Sequence, residues 1–349
     1  MLPFEKLIFV RKKMNGSAMM MAYQPFIVCK QKNIPCAVVS HNFIENEIDN
    51  IKNSVLILIK VEFSNVTLFK LVLNNNRIIF VPGDSNTSSS IDYIEKNKEL
   101  LSCIVVSNNL IKCDIKKKVL INVETIVHNF DIFLNSDISF QERNQKLRIL
   151  FSGAKDYRGI PTNGDLCFEE VKSKNFDLEF AEVYWCPLTG LQNILNGQSH
   201  LEFEKFVLEC LNNPCKSFLE QINSPLNPAK WSCHYGVRAP WIEDYESYWS
   251  NKSATKLITA AGSGANIITS LDPAICQLID NSYPYSIDTT TQIFKKDYLN
   301  ICNEMVKKVR ETYLSKIWFD GLDILKEVKE KTSCEVVTQQ YIDLAVKIF

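Results

Sequence analysis

Glycine and proline are scarce in this chain of 349 residues, at 11 and 12, which excludes long flexible linkers. Charge imbalance is absent too. The 39 Lys and Arg residues stand against 40 Asp and Glu, for a net charge of −1. No global field therefore recruits nucleic acid or an anionic membrane, although a local basic patch is compatible with this balance. No apolar run reaches the ~18–20 residues that a membrane helix needs. The longest, residues 55–61, contains Lys60 and reads as a buried strand. The apolar stretch at the start is short and no small-residue cleavage site follows it, so no signal peptide is predicted. A peripheral contact with a membrane surface stays open. None of the twelve cysteines forms a CxxC pair. Several sit in apolar runs, such as Cys103 before Ile104-Val105-Val106. They read as small core residues of a cytoplasmic protein in a reducing setting. The GxGxxG and GxxxxGK[ST] patterns are missing, which argues against a dinucleotide enzyme or a P-loop NTPase. HExxH, GxSxG and DxD are missing as well, and no metal site is expected.

What is present is the composition of a soluble globular protein, 46% hydrophobic and 23% charged, long enough for two domains. Short β-branched runs at 7–10, 36–40, 55–61, 77–81 and 103–107 predict strands, with a sixth at 119–122. Helical patterns lie between them, near 18–32, 43–52, 65–74 and 90–101, where Pro25 kinks or delays the first. Apolar strands separated by helices imply a parallel sheet covered on both faces, and right-handed crossovers make it doubly wound. Ligands in such sheets sit beyond the carboxyl ends of the strands, which places the turns at 12–17 and 82–85 at a cleft. The pattern restarts after about residue 140. Residues 141–146 are polar and 147–151 read as a fresh strand. The expected division is a first domain over 1–140 and a second over 146–349, whose last helices could pack back on the first. In the second, helices are expected at 165–174, 202–211, 217–223, 254–262, 273–279 and 290–314, and strands at 178–183, 231–237 and 265–269. The last 30 residues read as helical but weakly patterned. The fold class is α/β, with two Rossmann-like domains facing a central cleft.

Five constellations could carry chemistry. In residues 251–270, a helix starting near Ser253 would offer backbone N–H groups and the hydroxyls of Ser253 and Thr255 to an anion. Lys252 and Lys256, four apart, could share one helix face. The competing reading is an ordinary capped helix followed by a strand. Just upstream, Arg238 ends the run His234-Tyr235-Gly236-Val237-Arg238, where a guanidinium can pair with phosphate oxygens. His234 there reads as a core residue rather than a catalyst. His128-Asn129-Phe130-Asp131 could face the cleft from the first domain or form a turn capped by Asn and Asp. Gly153 follows the strand at 147–151, where a small residue lets substrate approach the backbone. The turn at 12–17, with Asn15, Gly16 and Ser17, is only loosely like a phosphate-cradling loop.

The order of these pieces resembles bacterial GT-B glycosyltransferases. The series is His-Asn-x-Asp, a strand ending in Ser-Gly, His-x-x-Val-Arg, then Lys-Ser-Ala-Thr-Lys-Leu followed by Ala-Gly-x-Gly. In that family a phrase like K-P-A-T-K-L…A-G-x-P lines the donor pocket, and Lys252, Ser253, Thr255, Lys256 and Leu257 stand at the matching places. The resemblance covers about residues 120–285. Two features depart from it. Leu257 stands where the second glutamate of an EX7E pair would fall, and Gly264-Ala265-Asn266 replaces the proline. The absence of DxD speaks against a metal-dependent GT-A transferase.

The resemblance implies sugar transfer from a nucleotide-activated donor to a glycan or glycolipid acceptor, in surface polysaccharide synthesis. The nucleotide sugar is a substrate, and no cofactor is implied. Gly153, Arg238, Lys252, Ser253, Thr255 and Lys256 are the donor-side candidates. Asn15, Gly16 and Ser17 are the acceptor-side ones. His128 and Asp131 are the catalytic candidates, with Asp84 and His41 as further proton acceptors. Two alternatives share the architecture: a nucleotide-sugar epimerase, and a non-catalytic nucleotide-sugar-binding subunit of a larger enzyme.

Overall fold

The computed structural model describes residues 2–12, 19–82, 88–132, 134, 138–152, 163–183, 205, 220, 223–238, 253–288 and 295–349. The first domain holds the strands β1 (Lys6–Arg11), β2 (Cys36–Ser40), β3 (Ser54–Ile59), β4 (Arg77–Val81), β5 (Cys103–Val106) and β6 (Val123–Thr125). All neighbours are parallel and the order is β2-β1-β3-β4-β5-β6. The helices between them are α1 (Gln24–Gln31), α2 (His41–Asn46), α3 (Asn65–Leu73), α4 (Ser88–Asn97) and α5 (Asn109–Lys118).

Alternation along the strands sorts the core into two layers. Leu7, Phe9, Val55, Ile57, Ile79 and Val105 face α1 through Phe26 and Ile27. Ile8, Val10, Leu56, Leu58, Ile78 and Phe80 face α2 to α5 through Ile44, Leu68, Ile94 and Ile111. Each strand thus reads as an unbroken apolar run although its side chains alternate. Local capping starts the helices: Ser40, Ser64 and Asn108 each accept a hydrogen bond from the backbone N–H three residues on. Pro25 falls in the first turn of α1, where its missing N–H costs nothing, and a π-helical turn, Met19–Tyr23, precedes it.

The sixth strand lies later than expected, and one helix is not expected at all. The sixth strand is Val123–Thr125, not 119–122. Val119 instead ends α5, its N–H bonded to Ile115 O, and Leu120 is 97% exposed. The helix α5 itself escapes a periodicity search because only Ile111 and Ile115 are buried among lysines.

The second domain continues with α6 (Phe140–Arg143), β7 (Arg148–Ser152), α7 (Asn163–Lys174), β8 (Glu179–Val183), β9 (Cys233–Gly236), α8 (Thr255–Ser263), β10 (Asn266–Ser270), α9 (Pro273–Cys276) and β11 (Ser286–Ile287). Its parallel sheet has the order β11-β10-β9-β7-β8. Three helices close the chain: α10 (Lys295–Glu311), α11 (Lys316–Lys331) and α12 (Cys334–Ile348). The terminal segment is thus firmly amphipathic: Trp318, Leu325 and Val328 of α11 join the second core, whereas Val337, Tyr341 and Ile342 of α12 join the first. The helices expected at 202–211 and 217–223 lie outside the described residues, apart from 205, 220 and 223. Among the described residues, no helix is long and apolar enough to cross a membrane.

Among the described residues the chain passes between the domains twice, and the two crossings touch. Phe130 N donates to Thr332 O at 3.1 Å. Asn129 Nδ2 donates to Gln24 Oε1 at 2.6 Å, anchoring the first crossing to the first domain. Elsewhere Gln277, just after α9, bridges the seam: its Nε2 donates to Ser107 O at 2.9 Å and its Oε1 accepts from Asn109 N at 3.1 Å.

Candidate functional site

In each sheet the chain reverses its direction of travel once, between β1 and β3 in the first and between β7 and β9 in the second. Crevices at such switch points, beyond the carboxyl ends of the strands, are where open α/β sheets bind ligands. In the second domain β7 ends at Ser152, and β9 ends at Gly236, two residues before Arg238. The helix α8 starts at Thr255, and the carbonyl oxygen of Ser253, two residues before it, accepts from Arg238 Nη2 at 2.6 Å.

The N-cap of α8 is Ala254, which has no side chain to cap the first turn. The positive end of the helix dipole is left without a capping carboxylate or hydroxyl at that residue. Ser253 and Thr255 pair their hydroxyls with each other at 2.7 Å. Lys256, in the first turn, lays its ammonium 3.9 Å from the ring centroid of Phe151, at the carboxyl end of β7. Phe151 is itself stacked on Phe168, centroids 5.1 Å apart. An aromatic face thus helps to place this cation at the end of β7. The helix ends at Gly264, whose φ of 68° is left-handed. The N–H of Ala265 bonds back to Ala260 O and that of Gly264 to Ala261 O, which is the Schellman arrangement.

Arg238 does not stand in the crevice as a free cation. Its Nη1 lies 2.5 Å from Asp272 Oδ2, and the two side chains are 9% and 1% exposed. Asp272 also caps α9, its Oδ1 accepting from Ala274 N at 3.2 Å and Ile275 N at 3.1 Å. Burial raises the Asp272 carboxyl above its ordinary range, and Arg238 together with the two N–H groups pulls against it. Tyr298 OH donates to Arg238 O at 2.9 Å. Arg238 thus ties three segments together: the end of β9, the start of α8 and the cap of α9. The sequence alone does not reveal this pairing, because the counter-ion is 34 positions away.

His128 and Asp131 lie on the first crossing between the domains, both half-buried. Asp131 is close enough to Cys334, at the start of α12, to help push that thiol up to about 12, burial being the larger cause. His41 opens α2 at the carboxyl end of β2, and its buried Nδ1 has no hydrogen-bond partner. His234 is the core residue its surroundings predict: 2% exposed, with Nε2 3.1 Å from Pro228 O. Burial pushes its pKa down to about 4. Gly153, Lys252, Asn15, Gly16, Ser17 and Asp84 lie outside the described residues.

The structure adds residues that the sequence alone does not single out. Phe151 becomes relevant only as the ring beneath Lys256. Asp272 carries a readable signal, an Asp-Pro pair opening a short helix, but nothing local links it to Arg238. On the first-domain side, Arg11 closes β1 beside that sheet's switch point, with Nε donating to Tyr23 OH at 2.5 Å. Among the described residues, no group of three or more His, Cys, Asp or Glu is arranged to hold a metal ion.

No family model matches the chain, and no curated protein matches it in sequence. Solved structures do match it in fold. The HepE protein of Anabaena in complex with UDP-glucose has a TM-score of 0.59 over 99% of this chain and 100% of that one, at 11% identity. The catalytic domain of starch synthase IV from Arabidopsis thaliana, bound to ADP and acarbose, has a TM-score of 0.55 over 99% of both chains, at 10% identity. The lipopolysaccharide outer core galactosyltransferase WaaB, in its apo form, has a TM-score of 0.53 over 98% of this chain and 99% of that one, at 9% identity. Two parallel doubly wound domains, joined by paired crossings and facing each other across a cleft, make this a chain of the GT-B fold.

Proposed function

We propose that this chain is a glycosyltransferase, moving a sugar from a nucleotide-activated donor to a hydroxyl of a glycan or glycolipid acceptor in surface polysaccharide synthesis. The observation that carries the reading is the start of α8. An uncapped helix N-terminus and the Lys256 ammonium converge beside the switch point of the second sheet. Proteins of the same fold bind the corresponding chemistry: HepE has been solved with UDP-glucose, and starch synthase IV with ADP and acarbose.

The chemistry follows from that charge arrangement. In transfer, the bond between the anomeric carbon and the diphosphate oxygen breaks, and negative charge grows on the departing diphosphate. Backbone N–H groups of α8 and the Lys256 ammonium face that charge and stabilise it as it forms. Lys252 and the backbone at Gly153 complete the donor side. Arg238 acts through Ser253, as the positioning residue that fixes where α8 begins. The acceptor hydroxyl enters from the first domain, near Asn15, Gly16 and Ser17. Its proton passes to His128 or Asp131, with Asp84 and His41 as further candidates. Because fixed cations supply the leaving-group stabilisation, turnover proceeds without a metal.

The test is turnover itself. The protein is incubated with a panel of nucleotide sugars, with and without glycan acceptors, and release of nucleoside diphosphate is followed with and without chelator. Acceptor-dependent release that chelator leaves unchanged is expected. Conversion of a donor to its sugar isomer without acceptor, or no turnover with any donor, overturns the reading.

A further inference from the structure

At the opposite edge of the second sheet, where the strands begin, lies a cavity of about 390 Å3 lined by Arg143, Lys146, Arg148, Lys230, Glu142 and Asn223, among others. Four cations therefore face one carboxylate across a single concavity. Lys146 precedes β7, Arg148 opens it and Lys230 lies just before β9, so the strand starts fix their spacing.

Arg143 is the unusual member. Its residue is 8% exposed, and the partners of its guanidinium are three backbone carbonyls: Ala229 O at 2.8 Å, Gly264 O at 2.8 Å and Ile138 O at 3.4 Å. Among the described residues no carboxylate pairs with it. A buried charge is ordinarily balanced by an opposite one. A guanidinium also carries five N–H donors, more than these three bonds use. Arg148 is set rigidly beside it, stacked 5.1 Å from the Trp231 ring centroid and bonded to Lys230 O. Lys230 Nζ is held by Asn223 O at 2.7 Å. Glu179 answers part of this charge, 2.5 Å from Lys146 and 4.0 Å from Arg148, and leaves Arg143 and Lys230 unanswered.

We propose that this cavity is a second anion site, for a small phosphate-bearing ligand, distinct from the donor crevice at Lys256. Planar guanidinium forks and a held ammonium suit the several oxygens of a phosphate group better than a single carboxylate. The two sites lie at opposite edges of one sheet, so both can be filled at once.

Calorimetric titration of the full chain with inorganic pyrophosphate tests this. Three forms are compared: the native sequence, Lys256→Ala, and Lys146→Ala with Lys230→Ala. Lys256→Ala retains binding at the cavity, whereas the double variant binds at least tenfold more weakly and keeps the circular dichroism of the native fold. If the double variant melts early, Lys230→Gln alone carries the same comparison. Binding that these cavity variants leave unchanged overturns the proposal, as does binding that Lys256→Ala abolishes, or no binding at all. Loss in the cavity variants together with failure of every nucleotide sugar to bind sinks the donor reading alone.

Discussion

Arg238 and Asp272 form a buried ion pair, Nη1 to Oδ2 at 2.5 Å, that holds the start of α8 against the cap of α9. Removing one partner of a buried ion pair typically costs 3–5 kcal/mol. Asp272→Ala should therefore lower stability by roughly that amount in chemical denaturation. It should also weaken nucleotide binding, because Ser253 loses its anchor. Native-like stability in this variant would contradict the pair's role.

Stability should depend on pH through His234. Its pKa in the folded chain is pushed down by burial to about 4, from an ordinary value of 6.5. The unfolded chain therefore binds more protons between these values. Stability is full above about pH 6.5, falls as pH drops toward 4, and loses on the order of 3 kcal/mol from this residue across that window. Denaturation midpoints measured from pH 4 to 7 check the slope. His234→Gln should flatten it, and an unchanged profile in that variant removes the assignment.

Gly262 is where α8 meets the crossing between the domains. A Cβ there would lie 2.5 Å from Phe130 Cγ and 2.7 Å from its Cβ. Gly262→Ala should cost about 1–3 kcal/mol by overpacking. In a double-mutant cycle with Phe130→Gly the two losses should not add, since removing the ring and its Cβ makes room for the methyl. Full additivity would mean that the contact is not the cause.

Proton acceptance at the crossing can be read apart from donor binding. His128→Asn and Asp131→Asn, each made singly, should leave nucleotide affinity within about twofold. At least one should lower turnover by about 10²–10⁴, the range of general base catalysis. Full turnover in both variants moves the role to Asp84 or His41.

The first sheet is legible in the sequence because β3 and its neighbours are short apolar runs set between helical patterns. Less legible are the elements whose pattern is thin. The helix α5 hides two buried isoleucines among lysines, and the apolar triplet 119–121 mimics a strand while Val119 ends the helix before it. At the site, Lys256 is recognisable from its place in the first turn of a helix that follows a strand. Its partner Phe151 is not, because the contact spans more than a hundred residues and rests on sheet order. The same holds for Arg238. Its residue type suggests a phosphate ligand, and only the fold reveals Asp272 beside it.

The most direct measurement is calorimetric titration of nucleoside diphosphates and nucleotide sugars into the native chain and into Lys256→Ala. At least one nucleotide sugar should bind the native chain, and Lys256→Ala should weaken that binding by about tenfold or more, a loss of about 1.4 kcal/mol or more. Equal affinity in the two forms, or no binding by any of them, would contradict the donor reading.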